Sequence, residues 1–172
     1  MKRILLLCLV AGLMAACSHK YATDAIQPPQ QRLDRAASIY VMMPENGSYG
    51  GTRYAGSGRH VSLVAFSALS KYTAKVSAGE TPETLAGARA KAEAAGVAYI
   101  LEPTILNWED RATEWSGRPD RITIKLVLWD AKTGLELASS LARASSKWAT
   151  FGGDHPQDLL PVLMANFVDR LY

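Results

Sequence analysis

The chain has 172 residues, 48% of them hydrophobic, which suits one globular domain with a real core and no need for metal or disulfide support. Lys2 and Arg3 lie in a segment that we expect to be removed, so 17 of the 19 basic residues remain against 16 acidic ones. This near balance gives no electrostatic reason to expect binding to nucleic acid.

The N-terminus has the pattern of a bacterial export signal. The basic pair is followed by an apolar run, residues 4–14, that is too short to span a bilayer as a helix, and then by two alanines at the expected cleavage site. Residues 14–17, Met-Ala-Ala-Cys, resemble the lipobox, whose cysteine is acylated and becomes the mature N-terminus. Cys8 lies in the removed part, so Cys17 has no disulfide partner. We therefore predict a lipid on Cys17; a plain secretory signal is the alternative.

The resemblance to lipoproteins has two further implications. Ser18, rather than Asp, after the cysteine implies sorting to the outer membrane, with the domain in the periplasm. Residues 18–37 show no periodicity and contain two adjacent prolines among glutamines, so we expect a tether with a root-mean-square reach of about 25 Å. The predicted organisation is a signal peptide over residues 1–16, a lipidated N-terminus and tether over residues 17–37, and one globular domain over residues 38–172.

The domain begins with a strand, a loop and a helix. Residues 38–44 are an apolar run that predicts a buried strand. The glycine-rich residues 45–58 predict a flexible loop. Apolar residues then recur at three- and four-residue steps over residues 59–72, which predicts a helix with Ser57 as a plausible N-cap.

A second strand and helix follow. Residues 73–78 predict a short strand, and Thr81, followed by Pro82, predicts the start of a helix that ends at Gly96. The inner face of this helix is mostly alanine, so we expect it to lie close to a sheet.

The C-terminal half contains the clearest strands. Strict alternation over residues 121–129 is typical of a half-buried antiparallel strand, and residues 97–107 precede it as the other arm of a long hairpin. Residues 135–148 predict a further strand with one small-residue face, and Asp158 predicts the start of a last helix. The order β-α-β-α-β-β-β-α indicates an α/β fold with α+β character, in which helices pack on a single mixed sheet.

Three chemical activities are disfavoured by the residues present. The glycine-rich loop has Ser57 and Gly58 where a phosphate-binding loop needs lysine and a hydroxyl residue, so we expect no nucleotide. No serine stands in a nucleophile elbow, so His155 beside Asp154 does not predict a hydrolase. The acidic residues near position 110 are interleaved with arginines, which favours ion pairs over a metal site. We expect no enzyme activity, cofactor or metal.

Three segments carry a family resemblance. Residues 40–44, 107–120 and 148–160 resemble an uncharacterised family of proteobacterial lipoproteins with a domain of unknown function. The element order is also similar to that of the Tol-system N-terminal domain and of the curli-secretion and penicillin-binding-protein-activator lipoproteins. These are partner-binding modules, so the resemblance implies an accessory or partner-binding role in the cell envelope.

The expected working surface follows from strand direction. If the first, third and fifth predicted strands are parallel, the loops after them emerge at one edge of the sheet, where open α/β sheets usually bind ligands. An envelope protein partner is the leading hypothesis, and a small ligand or cell-wall fragment is the alternative. A structural role, with the loop tryptophans folded onto the sheet, is the competing interpretation. The candidate contact residues are Tyr49, Arg53, Tyr54, Trp108, Arg111, Trp115, Arg118, Trp148 and His155.

Overall fold

The computed structural model describes residues 19–110, 119–147 and 155–172. In these parts of the chain the sheets are formed by β1 (Lys20–Gln27), β2 (Ile39–Met43), β3 (Ser48–Tyr49), β4 (Thr52–Arg53), β5 (Val76–Pro82), β6 (Tyr99–Glu109), β7 (Arg121–Asp130) and β8 (Glu136–Ser145). The helices are α1 (Ser57–Leu69), α2 (Leu85–Ala95), a 3₁₀ helix (Pro156–Leu159) and α3 (Leu160–Val168).

Six strands form one mixed sheet in the order β1-β8-β7-β6-β2-β5. Strand β2 pairs in parallel with both β5 and β6, whereas β6, β7 and β8 form an antiparallel meander. Strands β2, β6 and β8 therefore run in the same direction. This confirms the predicted fold class, the long hairpin and the order of the main elements; β1 and the small β3–β4 hairpin are additional.

The larger core lies between one face of the sheet and helices α1 and α3. Alternation along β7 buries Ile122, Ile124, Leu126 and Leu128 on this face, each at most 1% exposed. They belong to the same cluster as apolar residues of both helices. The facing positions of β8 are small residues, which lets α3 lie close to the sheet, as the sequence predicts.

Helix α2 covers part of the opposite face. Its buried residues, Ala88 and Ala92, pack with Tyr40, Met42 and Ile100 of the sheet. The helix ends at Gly96, which has a left-handed φ of 63°, as predicted. Its predicted start was wrong.

The start of α2 is displaced because β5 is longer than expected. Met43 of β2 pairs with Pro82, so the strand continues through the residues that were assigned to the helix N-terminus. The N-cap is Thr84, whose side-chain oxygen accepts a hydrogen bond of 3.2 Å from the Gly87 backbone N–H. The N-cap of α1 is likewise one residue earlier than predicted, at Gly56 instead of Ser57.

The expected tether is the main error of the sequence interpretation. Residues Lys20–Gln27 form β1, which pairs antiparallel with β8 from Lys20 opposite Ser145 to Gln27 opposite Ser139. Leu33 is also packed into the core, and its backbone N–H donates a 2.7 Å hydrogen bond to the Leu171 carbonyl. The segment lacks an apolar pattern because an edge strand is held mainly by backbone pairing.

Candidate functional site

The loops after β2, β6 and β8 meet at one end of the sheet, because these three strands run in the same direction. Glu109, Arg121 and Ser145 lie side by side in one row across β6, β7 and β8. We call this end the three-loop edge. Its described residues are 44–57, 110, 119–120, 146–147 and 155–157.

The first loop contains an ordered hairpin where the sequence predicts a flexible loop. Strands β3 and β4 are joined by Gly50 and Gly51, whose φ values are 56° and 84°. Positive φ at both central residues defines a type I′ turn, whose twist matches that of the two flanking strands. Glycine adopts these φ values without strain. The Tyr54 backbone N–H closes the loop by donating to the Gly47 carbonyl at 2.9 Å.

Helix α1 fixes this loop through its first turn. The Ser57 hydroxyl accepts a 2.8 Å hydrogen bond from the Gly47 N–H and donates at 2.7 Å to the Tyr54 carbonyl. The Asn46 side-chain oxygen accepts at 3.0 Å from the Gly58 N–H, one of the otherwise unpaired amide groups at the helix start. The loop is therefore held by side chains at both of its ends.

Trp108 lies beneath the loop and is only 3% exposed. A Cβ atom placed on Gly47 would lie 2.6 Å from the Trp108 Cβ, so the loop crosses the tryptophan at a distance that only glycine permits. This burial corrects the prediction that Trp108 faces a partner. For this residue the competing interpretation, a tryptophan folded onto the sheet, is the right one.

Asp110 joins the three loops. Its carbonyl oxygen accepts a 3.2 Å hydrogen bond from the Tyr54 hydroxyl, and its carboxylate lies 3.5 Å from Nδ1 of His155. His155 is in turn fixed at the start of the 3₁₀ helix, where its backbone N–H donates to the Asp158 carboxylate at 3.0 Å. A cavity of about 440 Å³ opens beside this junction, lined by Arg53, Tyr54, Ala55, Gly56, Ser57, His60, Trp108, Asp110 and Gln157.

The other predicted contact residues have different surroundings. Tyr49 is 41% exposed, and the side chain of Arg53 is 64% exposed and forms an ion pair with Glu45. His155 is also largely exposed, whereas Tyr54 is half-buried. The structure thus brings Tyr49, Arg53, Tyr54 and His155 to one edge. Arg111, Trp115, Arg118 and Trp148 lie outside the described residues.

Sequence reasoning missed two residues that organise the edge. Asp110 is one of the acidic residues that were weighed as metal ligands or ion-pair partners, although a polar residue directly after a long strand is a usual position for a site residue of another kind. Asn46 lies within residues 45–58, which predict a flexible loop, but an asparagine shortly before a helix can also cap its amide groups.

Among the described residues, the group whose pKa departs furthest from its usual value lies elsewhere: it is Tyr40 of β2. The Tyr40 hydroxyl donates a hydrogen bond to the Glu83 carboxylate, and burial together with this bond raises the pKa of Tyr40 well above its usual value. The Glu83 side chain is 10% exposed and forms an ion pair with Lys91 at 2.8 Å. These contacts connect α2 to the sheet, which is a structural role.

Two other kinds of site are absent from the described part of the chain. Within residues 19–110, 119–147 and 155–172, no three or more His, Cys, Asp or Glu side chains are grouped so that they could hold a metal ion. In the same residues, no helix has the length and apolar character needed to cross a membrane.

The chain belongs to the DUF4823 family, a domain of unknown function, whose model matches residues 31–171. This confirms the resemblance to an uncharacterised family. No curated protein matches the chain.

Solved structures are similar to this chain at low sequence identity. A PelC dodecamer from Paraburkholderia phytofirmans has a TM-score of 0.69 and 15% identity, over 88% of this chain and 97% of that chain. Protein XCC0632 from Xanthomonas campestris, of the family model DUF330, has a TM-score of 0.51 and 11% identity, over 82% and 86%. Lipoprotein GNA1162 from Neisseria meningitidis has a TM-score of 0.49 and 21% identity, over 78% and 96%. At these identities the likeness concerns the fold alone.

Proposed function

We propose that this protein is an outer-membrane lipoprotein, anchored through acyl chains on Cys17, whose domain serves in the periplasm as a non-catalytic accessory and binding module of the cell envelope. The lipobox at residues 14–17 and the unpaired cysteine support the anchor. The PelC structure that shares the fold is a dodecamer, which supports a fold that can present surfaces for contacts between protein chains.

The observation that carries this proposal is the construction of the three-loop edge. The side-chain oxygens of Asn46, Ser57 and Asp158 accept hydrogen bonds that fix the backbone of two loops. Tyr49, Arg53 and His155 are therefore exposed on ordered supports. Tyrosine and arginine are frequent anchors at binding surfaces, and preorganised loops reduce the entropy lost on binding. We propose that this edge is where the domain contacts other envelope components.

Two experiments test the proposal. Cys17→Ser is expected to move the protein from the membrane fraction to the soluble periplasm with an unchanged melting temperature; continued sedimentation with outer membranes would refute the anchor.

A photo-crosslinking amino acid at Tyr49 should give specific adducts in cells. The matched control is Leu135, which is 64% exposed at the other end of β8. Equal adduct patterns at both positions would refute a role for the edge.

The cavity beside Asp110 supports a second candidate function, binding of a small ligand or cell-wall fragment. Its volume of about 440 Å³ is within the range of small-molecule sites, about 300–1,000 Å³. Muropeptides added to the purified domain should then raise its melting temperature, since ligand at a hundred times its dissociation constant adds about 2.7 kcal/mol. Gln157→Ala should reduce that increase; an unchanged melting temperature in the native domain would exclude this candidate.

A further inference from the structure

The position of β1 determines where an N-terminal anchor is attached to the domain. Lys20 is the first residue of β1 and pairs with Ser145, which itself pairs with Arg121. Lys20 therefore extends the row of residues at the three-loop edge by one more strand. The chain enters the sheet at this edge and not at its opposite end.

The connection from Cys17 to this row is short. Three residue steps separate Cys17 from Lys20, and a fully extended chain covers at most about 11 Å in three steps. Strand β1 then runs away from the edge for seven further steps, about 23 Å. A lipid on Cys17 would hold the three-loop edge close to the bilayer, whereas the β7–β8 turn would lie roughly 30 Å further away.

We propose that the three-loop edge lies against the headgroup surface of the bilayer and that the β7–β8 turn points away from it. This inference rests on the acylation of Cys17 proposed above and names the envelope component that the edge contacts. A twenty-residue tether would leave the domain free to rotate above the membrane. The short connection to β1 instead gives the domain one fixed orientation.

The exposed residues of the edge fit a lipid headgroup surface. Tyr49 is 41% exposed at the tip of the β3–β4 hairpin, and tyrosine is enriched at membrane–water interfaces. Lys20 and Arg121 are exposed in the row itself and can bind lipid phosphates.

The described residues of the edge are not strongly charged when taken together. Besides Lys20 and Arg121, its described basic groups are Arg53 and Lys147, with His155 as a titratable one; the acidic groups are Glu45, Asp110 and Asp120, with the buried Glu109 next to them. The acyl chains therefore supply the affinity and the edge supplies the orientation. We expect the orientation to change little with ionic strength, in contrast to binding through a polybasic patch.

The test is a depth measurement on the mature acylated protein, which begins at Cys17 and lacks Cys8, in vesicles of phosphatidylethanolamine and phosphatidylglycerol. Tyr49→Cys and Leu135→Cys are each labelled with an environment-sensitive fluorophore, and lipids with a nitroxide in the headgroup act as a short-range quencher. Acylated Cys17 does not react with the label, so each variant carries one probe. Quenching should be several-fold stronger at position 49 than at position 135. Equal quenching, or stronger quenching at position 135, would overturn the proposal.

Two controls separate the possible failures. A flexible twelve-residue insertion between Ser18 and His19 should reduce quenching at position 49 while flotation with the vesicles is unchanged; undiminished quenching would overturn the role of the short connection. If the parent variants fail to float, acylation itself is refuted, and with it the proposed anchor. In cells, a photo-crosslinker at Tyr49 should capture phospholipid; capture of a protein with no lipid adduct would assign the edge to a protein partner instead.

Discussion

Gly58, in the first turn of α1, is the sharpest test of how the three-loop edge is built. A Cβ atom at this position would lie 2.2 Å from the carbonyl oxygen of Pro44, whereas real Cβ atoms essentially never approach another atom within 3.0 Å and ordinary contacts begin at 3.4 Å. The neighbouring atom belongs to the backbone at the end of β2, so no side chain can rotate away. Gly58→Ala should therefore push the start of α1 away from the loop by roughly an ångström.

The expected size of the effect follows from opposing contributions. Replacing a helical glycine with alanine normally stabilises a protein by about 1 kcal/mol. Overpacking costs about 1–3 kcal/mol, and weakening the 3.0 Å hydrogen bond between the Gly58 N–H and Asn46 costs about 1 kcal/mol more. The net destabilisation is about 1–3 kcal/mol, a decrease in melting temperature of about 4–8 °C for 2 kcal/mol in a domain of this size.

Gly87→Ala is the matched control, because Gly87 also lies in the first turn of a helix. Its nearest neighbour, the Thr84 hydroxyl oxygen, is 3.5 Å from the added Cβ, an ordinary contact. This variant should be more stable than the native protein by up to about 1 kcal/mol. Thermal and urea unfolding of both variants gives the comparison. If Gly58→Ala is as stable as Gly87→Ala, the close crossing of α1 and the loop is refuted.

Three further predictions concern the core, the β7–β8 turn and nucleotides. Trp108→Ala should destabilise the domain by about 3–5 kcal/mol in urea unfolding, whereas Leu135→Ala should change stability by less than about 0.5 kcal/mol. Hydrogen bonds from the Thr133 backbone and side chain lower the pKa of Asp130, so the carboxylate stabilises the fold above its usual pKa and this contribution disappears as the pH falls through the lower folded value. Asp130→Ala should therefore cost about 1 kcal/mol at neutral pH and progressively less as the pH falls below the usual aspartate pKa, with Asp130→Asn, which keeps an acceptor, in between. Millimolar ATP or NAD should leave the melting temperature unchanged, because no lysine follows the glycine-rich loop; an increase of several degrees would contradict this.

Strands and helices with a periodic pattern of apolar residues could be predicted from the sequence. Strands that are held mainly by backbone pairing with a neighbouring strand could not. Strand β7 was found because its letters alternate: one face is apolar and fully buried, whereas most positions of the other face are only half-buried. Strand β1 was missed because its backbone pairing with β8 leaves no apolar period, and Tyr21 and Thr23 are only half-buried. The β3–β4 hairpin did have a signal, two glycines between Tyr49 and Thr52, which is the sequence of a primed two-residue turn.

The candidate site, too, could be predicted from the sequence only in part. The convergence of the three loops followed from strand direction, which the element order largely determines. The burial of Trp108 could not be predicted, because β6 has an irregularity in its register between Ile105 and Asn107. The extra residue shifts the alternation by one, so that Trp108 pairs with Ile122 and faces the core. Regular alternation from Ile105 would have placed Asn107 on that face.

Removal of residues 19–27 distinguishes most directly between a tether and an edge strand. If the segment were a tether, a non-acylated domain that begins at residue 28 would melt like one that begins at residue 19. The structure predicts a clear loss of stability, because the deletion removes the pairing along β8 and exposes Ala142 and Ala144, which are at most 6% exposed in the native domain. Losing several net hydrogen bonds at about 0.5–1.5 kcal/mol each, together with this burial, should cost several kcal/mol. The shortened domain should also self-associate, since β8 becomes an unprotected edge. Melting and sedimentation of the two domains decide the question: equal melting temperatures and two monomers would restore the tether and remove the basis for a fixed orientation at the membrane.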